Sequence, residues 1–239
     1  MRFADIHIHA LAGVDDGAAT EADMRGMIDA AYADGTRVIC FTPHWYPAAF
    51  SDNRRASEAA YSRAAAYAVS RGYDLKLCLG NELHYTDGCT ERIAEGLCRT
   101  LNGTDNVLVD FSENEDADVI MRGVRSILNA GYRPILAHVE RYTRLHSDLR
   151  EARALRTDGA LIQIDSDSVV GKFGFGCRMR AKKCLDGHIA DIVASDAHGV
   201  TRRTPQLSAA FGLTERRYSP EYARALFWNN PLRVLGIGE

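Results

Sequence analysis

Short apolar runs in this chain end again and again on a histidine or a carboxylate. The junctions are DIHIH at 5–9, CFTPHW at 40–45, ILAHVER at 135–141 and VASDAH at 193–198, and they hold five of the eight histidines. A strand that stops on a polar side chain delivers it to one end of a sheet. The pattern therefore constrains both the topology and the place where chemistry can sit.

The apolar runs predict seven strands, at Phe3–His7, Arg37–Phe41, Leu75–Leu79, Val107–Phe111, Pro134–Ala137, Leu161–Ile164 and Ile192–Ala194. Amphipathic stretches between them predict helices at 19–34, 52–70, 88–99, 115–130, 147–157 and 175–186, with two more within 205–229. Thr20, followed by Glu21 and Asp23, reads as a helix start. Gly35, Gly72, Gly131, Gly159 and Gly187 read as stops before the next strand.

This βα repeat predicts a parallel sheet with helices outside it, in one domain over 1–239. Periodicity alone leaves a closed barrel of about seven units and an open doubly wound sheet both standing. The polar residues separate them: His7, His9, His44, Glu82, Asp110, His138, Asp196 and His198 all fall at or just past a strand's C-terminal end. So many strand ends feeding one centre suits a barrel rim better than a single crossover point.

Composition excludes several classes. A formal charge of −3 offers no broad attraction for nucleic acid or anionic lipid. The chain enters apparent structure at MRFADIHIHA without a signal-peptide pattern, and no apolar run approaches a membrane span. Six cysteines without a CxxC pair read as free, mostly buried thiols in a reducing cytoplasm.

His7 and His9 stand two apart, which on extended backbone puts both on one face, and Asp196 and His198 repeat the spacing. Imidazole and carboxylate donors together suit zinc, manganese or iron and need no thiolate. Any one of these residues alone reads more simply as a loop cap. Burying so many ionisable groups at one rim is costly unless cations compensate.

In GVDDG, Asp15 reads as an Asx turn and cap, while Asp16 folds back to the rim as a ligand. Asp5 is a ligand or an acceptor for a histidine N–H. No cysteine has an arginine six positions on, and neither GxxxxGK[ST] nor GxSxG occurs. GKFGFG at 171–176 lacks dinucleotide spacing and reads as a mobile rim loop.

DIHIHALAGVDDG, FTPHW, GNELHY, VLVDFSEN, PILAHVERY and ASDAH followed by RRTP occur in order along nearly the whole chain. In these motifs it resembles the polymerase and histidinol phosphatase (PHP) superfamily. Within that superfamily it is similar to the manganese-dependent protein-tyrosine phosphatases of bacterial capsular and exopolysaccharide synthesis. The resemblance implies a distorted seven-stranded (β/α)7 barrel and three divalent ions, manganese first, with zinc or iron compatible.

It places His7, His9, Glu82 and Asp196 around one ion and Glu82, Asp110 and His138 around a second. Asp16, His44 and His198 hold the third. Asp110 departs from the usual glutamate and has one methylene less reach.

The three ions outweigh the four ligand carboxylates and leave attraction for a phosphate dianion. Arg141 and Arg203 are implied over that phosphate, with Arg144 and Arg202 as substitutes. Glu140 stands behind the ligands, and His84 faces the pocket without a ligand role. Trp45, Tyr46 and Phe50 either stack on a phosphotyrosyl ring or cover the core.

The implied partner is a phosphotyrosine-bearing protein or peptide, such as the tail of a polysaccharide-synthesis tyrosine kinase. Homo-oligomerisation through the C-terminal helices is left open. The rival expectations are a histidinol-phosphate or other small-molecule phosphoesterase, and a scaffold that binds phosphoproteins without turnover.

Overall fold

The computed structural model describes residues 1–50, 53–145 and 149–238. The chain runs β1 (Phe3–Ile8), α1 (Glu21–Asp34), β2 (Thr36–Phe41), β3 (His44–Trp45), α2 (Arg54–Ser70), β4 (Lys76–Leu79), β5 (Glu82–His84), α3 (Cys89–Ala94) and β6 (Asn106–Asp110). It continues through α4 (Ala117–Asn129), β7 (Arg133–Leu136), α5 (Arg150–Thr157), β8 (Leu161–Asp165), α6 (Ser166–Val170), α7 (Gly174–Asp186) and β9 (Ile192–Ala194). Three helices end it: α8 (Ser208–Arg217), α9 (Pro220–Arg224) and, after a π-helical turn, α10 (Asn230–Val234).

Every strand pairing is parallel, in the orders β1-β2-β4 and β3-β5-β6-β7-β8-β9. The seven expected strand positions are all present, but two are broken, which yields nine strands among the described residues. Pro43 has no N–H to donate and separates β2 from β3. Thr42 beside it turns to β1, donating its N–H to the Ile8 carbonyl at 3.0 Å and accepting the Ile8 N–H on Oγ1 at 3.0 Å.

Between β4 and β5 the backbone passes close to Leu101, whose Cδ2 would lie 2.7 Å from any Cβ at Gly80. Asn81 then donates to the Pro43 carbonyl at 2.8 Å, so the two breaks are tied together. The seam closes where β9 meets β1: Asp196 N–H donates to the His7 carbonyl at 2.8 Å and His9 N–H to the Ala197 carbonyl at 2.9 Å. The result is the distorted seven-position barrel.

Ala4, Ile6, Val38, Cys40, Leu108, Ile135, Ile192 and Ala194 form one buried cluster with Leu232, Val234 and Leu235 at the chain's end. Outside, Thr20 closes a capping box with Asp23 on α1, whose other end is set by Gly35 at φ 111°. The predicted helix starts at 52 and 147, and the chain's last residue, lie outside the described residues.

Two expectations are corrected and one element is added. The helix predicted over 88–99 ends at Ala94, and α6 was not anticipated, its SDSVV run being too short to show a helical period. GKFGFG is not a free loop, because α7 begins at Gly174 within it.

Candidate metal centre

The nine side chains singled out as metal donors converge at the C-terminal ends of the strands. Three groups form, each with its donor atoms within 4.8 Å of one another: His7, His9, Glu82 and Asp196; Glu82, Asp110 and His138; and His9, Asp16, His44 and His198. Glu82 joins the first two. His9 also belongs to the third, its ring 4.4 Å from that of His44 and 4.0 Å from that of His198.

Local structure brings each donor in. On β1, Asp5 pairs with Ile39 and Ile8 with Phe41, so three steps oppose two and a bulge re-aims His7. The GVDDG loop folds back onto His9, where a Cβ on Gly17 would fall 1.9 Å from the His9 carbonyl oxygen. Only glycine permits that approach, and it carries Asp15 and Asp16 to the rim. His138, Asp196 and Arg203 occupy the left-handed region at φ 32°, 48° and 47°, a strain that clusters at working sites.

The imidazoles are oriented from behind. His7 Nδ1 lies 3.0 Å from Gln163 Oε1, an oxygen that also accepts the His138 N–H, while the Gln163 amide nitrogen donates to Asp165. That oxygen can only accept, so neutral His7 carries its proton on Nδ1. Asp15 Oδ2 fixes His9 in the same way at 2.8 Å, and the Asp196 carbonyl fixes His198 at 3.0 Å. All three rings therefore turn bare Nε2 lone pairs inward.

Those lone pairs meet oxygens that accept nothing. His7 Nε2 stands 3.2 Å from His9 Nε2, Glu82 Oε2 and Asp196 Oδ1. Glu82 Oε2, Asp196 Oδ1 and His198 Nε2 are buried without a hydrogen-bond partner. Facing lone pairs repel one another and suit a shared cation. The donors fit borderline divalent ions.

Without cations, protons would take that place. Burial opposes a charged ring, yet the Glu82 and Asp16 carboxylates push His44 up to about 10. Burial and the Arg141 charge oppose His138, yet its hydrogen bond to Glu82 carries it up to about 9. His9 is raised too, against burial, by Asp15. Burial and the Glu82 charge raise Asp110 above the usual carboxylate range, while His84 works against them with Nδ1 3.1 Å from both its oxygens.

Arg141 donates to Asp165 Oδ2 at 2.6 Å and to Asp196 Oδ2 at 2.5 Å, and Arg203 donates to the same Asp196 oxygen. Two guanidiniums thus stand at the first donor group's edge. The Phe173 ring lies under Arg141 at 4.5 Å. Of the substitutes, Arg144 pairs with Asp116 at 3.3 Å on the surface, and Arg202, next to Arg203, is exposed.

The aromatic loop divides. Trp45 is buried in the core, while Tyr46 packs on His84 at 4.4 Å and Phe50 lies 5.9 Å from the His44 ring. Asp5 accepts the backbone N–H groups of His7 and Ser195 and meets no histidine ring nitrogen within hydrogen-bonding distance among the described residues. Glu140 is buried, accepts the Asp165 N–H at 3.1 Å, and is pushed up to about 8 by burial and the Asp165 charge.

Gln163 and Asp165 went unread in the sequence. Their signal was a pair of polar residues two apart, on one face of the otherwise apolar run LIQID. Asp15 makes its Asx turn, accepting the Gly17 N–H at 3.0 Å, and orients His9 as well.

A family model described as capsular polysaccharide synthesis, CpsB/CapC, matches residues 3–236. The tyrosine-protein phosphatase CpsB of Streptococcus pneumoniae is 28% identical over 236 residues, covering 97% of each chain. The tyrosine-protein phosphatase YwqE of Bacillus subtilis is 27% identical over 228 residues, covering 95% of this chain and 90% of its own.

A solved structure from a crystallographic description of YwqE and CpsB as metal-dependent tyrosine phosphatases superposes with a TM-score of 0.90 at 26% identity. It covers 100% of this chain and 96% of that one. The zinc-bound histidinol phosphate phosphatase of Lactococcus lactis, at 13% identity and TM-score 0.59 over 92% and 95%, shares the fold.

Proposed function

The chain belongs to the capsular polysaccharide synthesis family CpsB/CapC, and we propose from that membership that it hydrolyses phosphotyrosine on proteins at a centre of three divalent ions. One observation carries the chemical half of this reading. Three donor groups with converging lone pairs and unpartnered carboxylate oxygens lie against two arginine guanidiniums.

His7, His9, Glu82 and Asp196 hold the first ion, Glu82, Asp110 and His138 the second, and Asp16, His44 and His198 the third, with His9 at the edge of the third group. Such ions supply a water acidic enough to attack at neutral pH and charge to offset the phosphoryl oxygens. Manganese is our choice among ions this donor set accepts, with zinc and iron next.

Arg141 and Arg203 grip the phosphoryl oxygens. Both already point at one carboxylate oxygen, Asp196 Oδ2, so their forks converge on a small anionic volume. Phe173 keeps the Arg141 plane in place from the far side. Tyr46 and Phe50, standing at the rim on His84 and His44, bracket the phenyl ring of the substrate. Nothing in this scheme needs a covalent enzyme intermediate.

The substrate follows the relatives' names: a phosphotyrosine-bearing protein, such as a tyrosine kinase of capsule or exopolysaccharide synthesis. No described helix is long and apolar enough to cross a membrane. The cytoplasm is our assignment, supported by six unpaired cysteines, five of them buried.

Turnover of a phosphotyrosyl peptide beside a small aryl phosphate, with metal content quantified, tests the reading. Efficient small-ester hydrolysis with inert peptides would give the site to small molecules. Activity unaffected by His9→Ala or Asp196→Ala would remove the centre itself.

A further inference from the structure

A groove of about 270 Å³ lies between α7 and α8, away from the donor groups. Its floor includes Leu185 and the partly exposed Leu213, and its rim carries Arg178, Lys182, Arg216 and Arg217 without one carboxylate in the lining. Four cations gather here on a chain whose formal charge is −3. Asp186, beside them, is shared among Lys182, Arg217 and Tyr218. Arg178 and Arg216 make no ion pair among the described residues.

The groove is joined to the candidate active site by α7. That helix starts just after Phe173, whose ring lies under Arg141, and Arg178 packs over Gly171 of the same segment. Lys182 stands nine residues along from Phe173, about 13 Å at the helical rise. An extended peptide covers that distance in about four residues.

We propose that this groove is a substrate-docking site, which takes an acidic segment bearing one large apolar side chain, about four residues from the phosphotyrosine. The volume is below the roughly 300 Å³ at which small-molecule pockets begin, so it suits a side chain better than a free ligand. Its concavity suits a protruding residue better than a flat lipid surface. The cations complement the acidic flank and Leu213 the apolar one.

The inference rests on the protein-substrate reading above. The test compares two phosphotyrosyl peptides, one with a Glu/Asp-rich flank around a leucine and one with a Ser/Gly flank, beside a small aryl phosphate. The manganese-loaded protein serves with its Arg178→Glu/Arg216→Glu variant, both positions being exposed.

The wild type is expected to show a lower KM for the acidic peptide. The variant is expected to raise that KM about three- to tenfold, as two exposed charge contacts warrant. Its kcat and its aryl phosphate turnover stay unchanged, and added salt erodes the preference. Equal KM for both peptides, or an acidic preference that survives in the variant, overturns the docking site alone. Aryl phosphate turnover with both peptides inert overturns the protein-substrate reading and the docking site with it.

Discussion

Asp15 Oδ2 lies 2.8 Å from His9 Nδ1, and the same oxygen accepts the His44 backbone N–H at 3.0 Å. One carboxylate, itself outside the three donor groups, therefore sets the tautomer of one donor and the backbone of another. Asp15→Asn is expected to lower metal affinity about 10- to 100-fold, the usual cost of losing an orienting partner. Competition against a fluorescent chelator measures this, and unchanged affinity would deny Asp15 its role.

The protonation of the ion-free centre gives a prediction with two opposite signs. Below their values of about 10 and about 9, His44 and His138 carry protons that an incoming ion must displace. Metal affinity should therefore climb from pH 6.5 through 9 and level off near 10, with proton release seen in calorimetry across buffers. The ion-free fold behaves the other way. Raised histidines stabilise it fully below about 6.5, and that contribution fades as pH rises through 9 to 10. A chelated sample whose melting temperature rose over this window would contradict the protonated centre.

Arg141 is held by two carboxylates and a ring, so its fork is preorganised. Arg141→Ala is expected to cost about 10² to 10³ in kcat/KM, the size seen on removing one oxyanion donor. Arg141→Lys should recover little of it, because an ammonium cannot bind two oxygens in one plane. Full rescue by lysine in steady-state kinetics would reduce Arg141 to a point charge.

A methyl group at Gly17 would collide with the His9 carbonyl. Gly17→Ala should destabilise the fold by about 1–3 kcal/mol, as overpacking does. Because the loop carries Asp16, the variant should also bind two ions tightly where the parent binds three. Elemental analysis after gel filtration, with denaturant unfolding, reads both; an unaltered stoichiometry would detach the loop from the centre.

The barrel was legible because parallel strands buried on both faces are written as short apolar runs, and eight of the nine candidate donors because each stands where such a run stops, Asp16 alone coming from the loop that follows. The backs of the donors were not legible. Gln163 orients His7 across 156 residues, a contact no local spacing encodes. Asp165, which holds Arg141, was hidden for the same reason. The broken strands at Pro43 and Gly80 were invisible as breaks because the chain resumes its direction at once. Trp45 and Tyr46, neighbours in sequence, part company only when β3 pairs with β5 and sends one ring inward.

The seam joins residues near the two ends of the chain, with His7 and His9 on one side and Asp196 and Ala197 on the other. During synthesis the ribosome releases the first two histidines long before their partners exist. A nascent chain that stops short of Asp196 carries the whole second donor group but lacks Asp196 from the first and His198 from the third. Completion of all three groups therefore waits for the last strand and the turn after it, and a product cut short of Asp196 lacks one donor in two of the three groups.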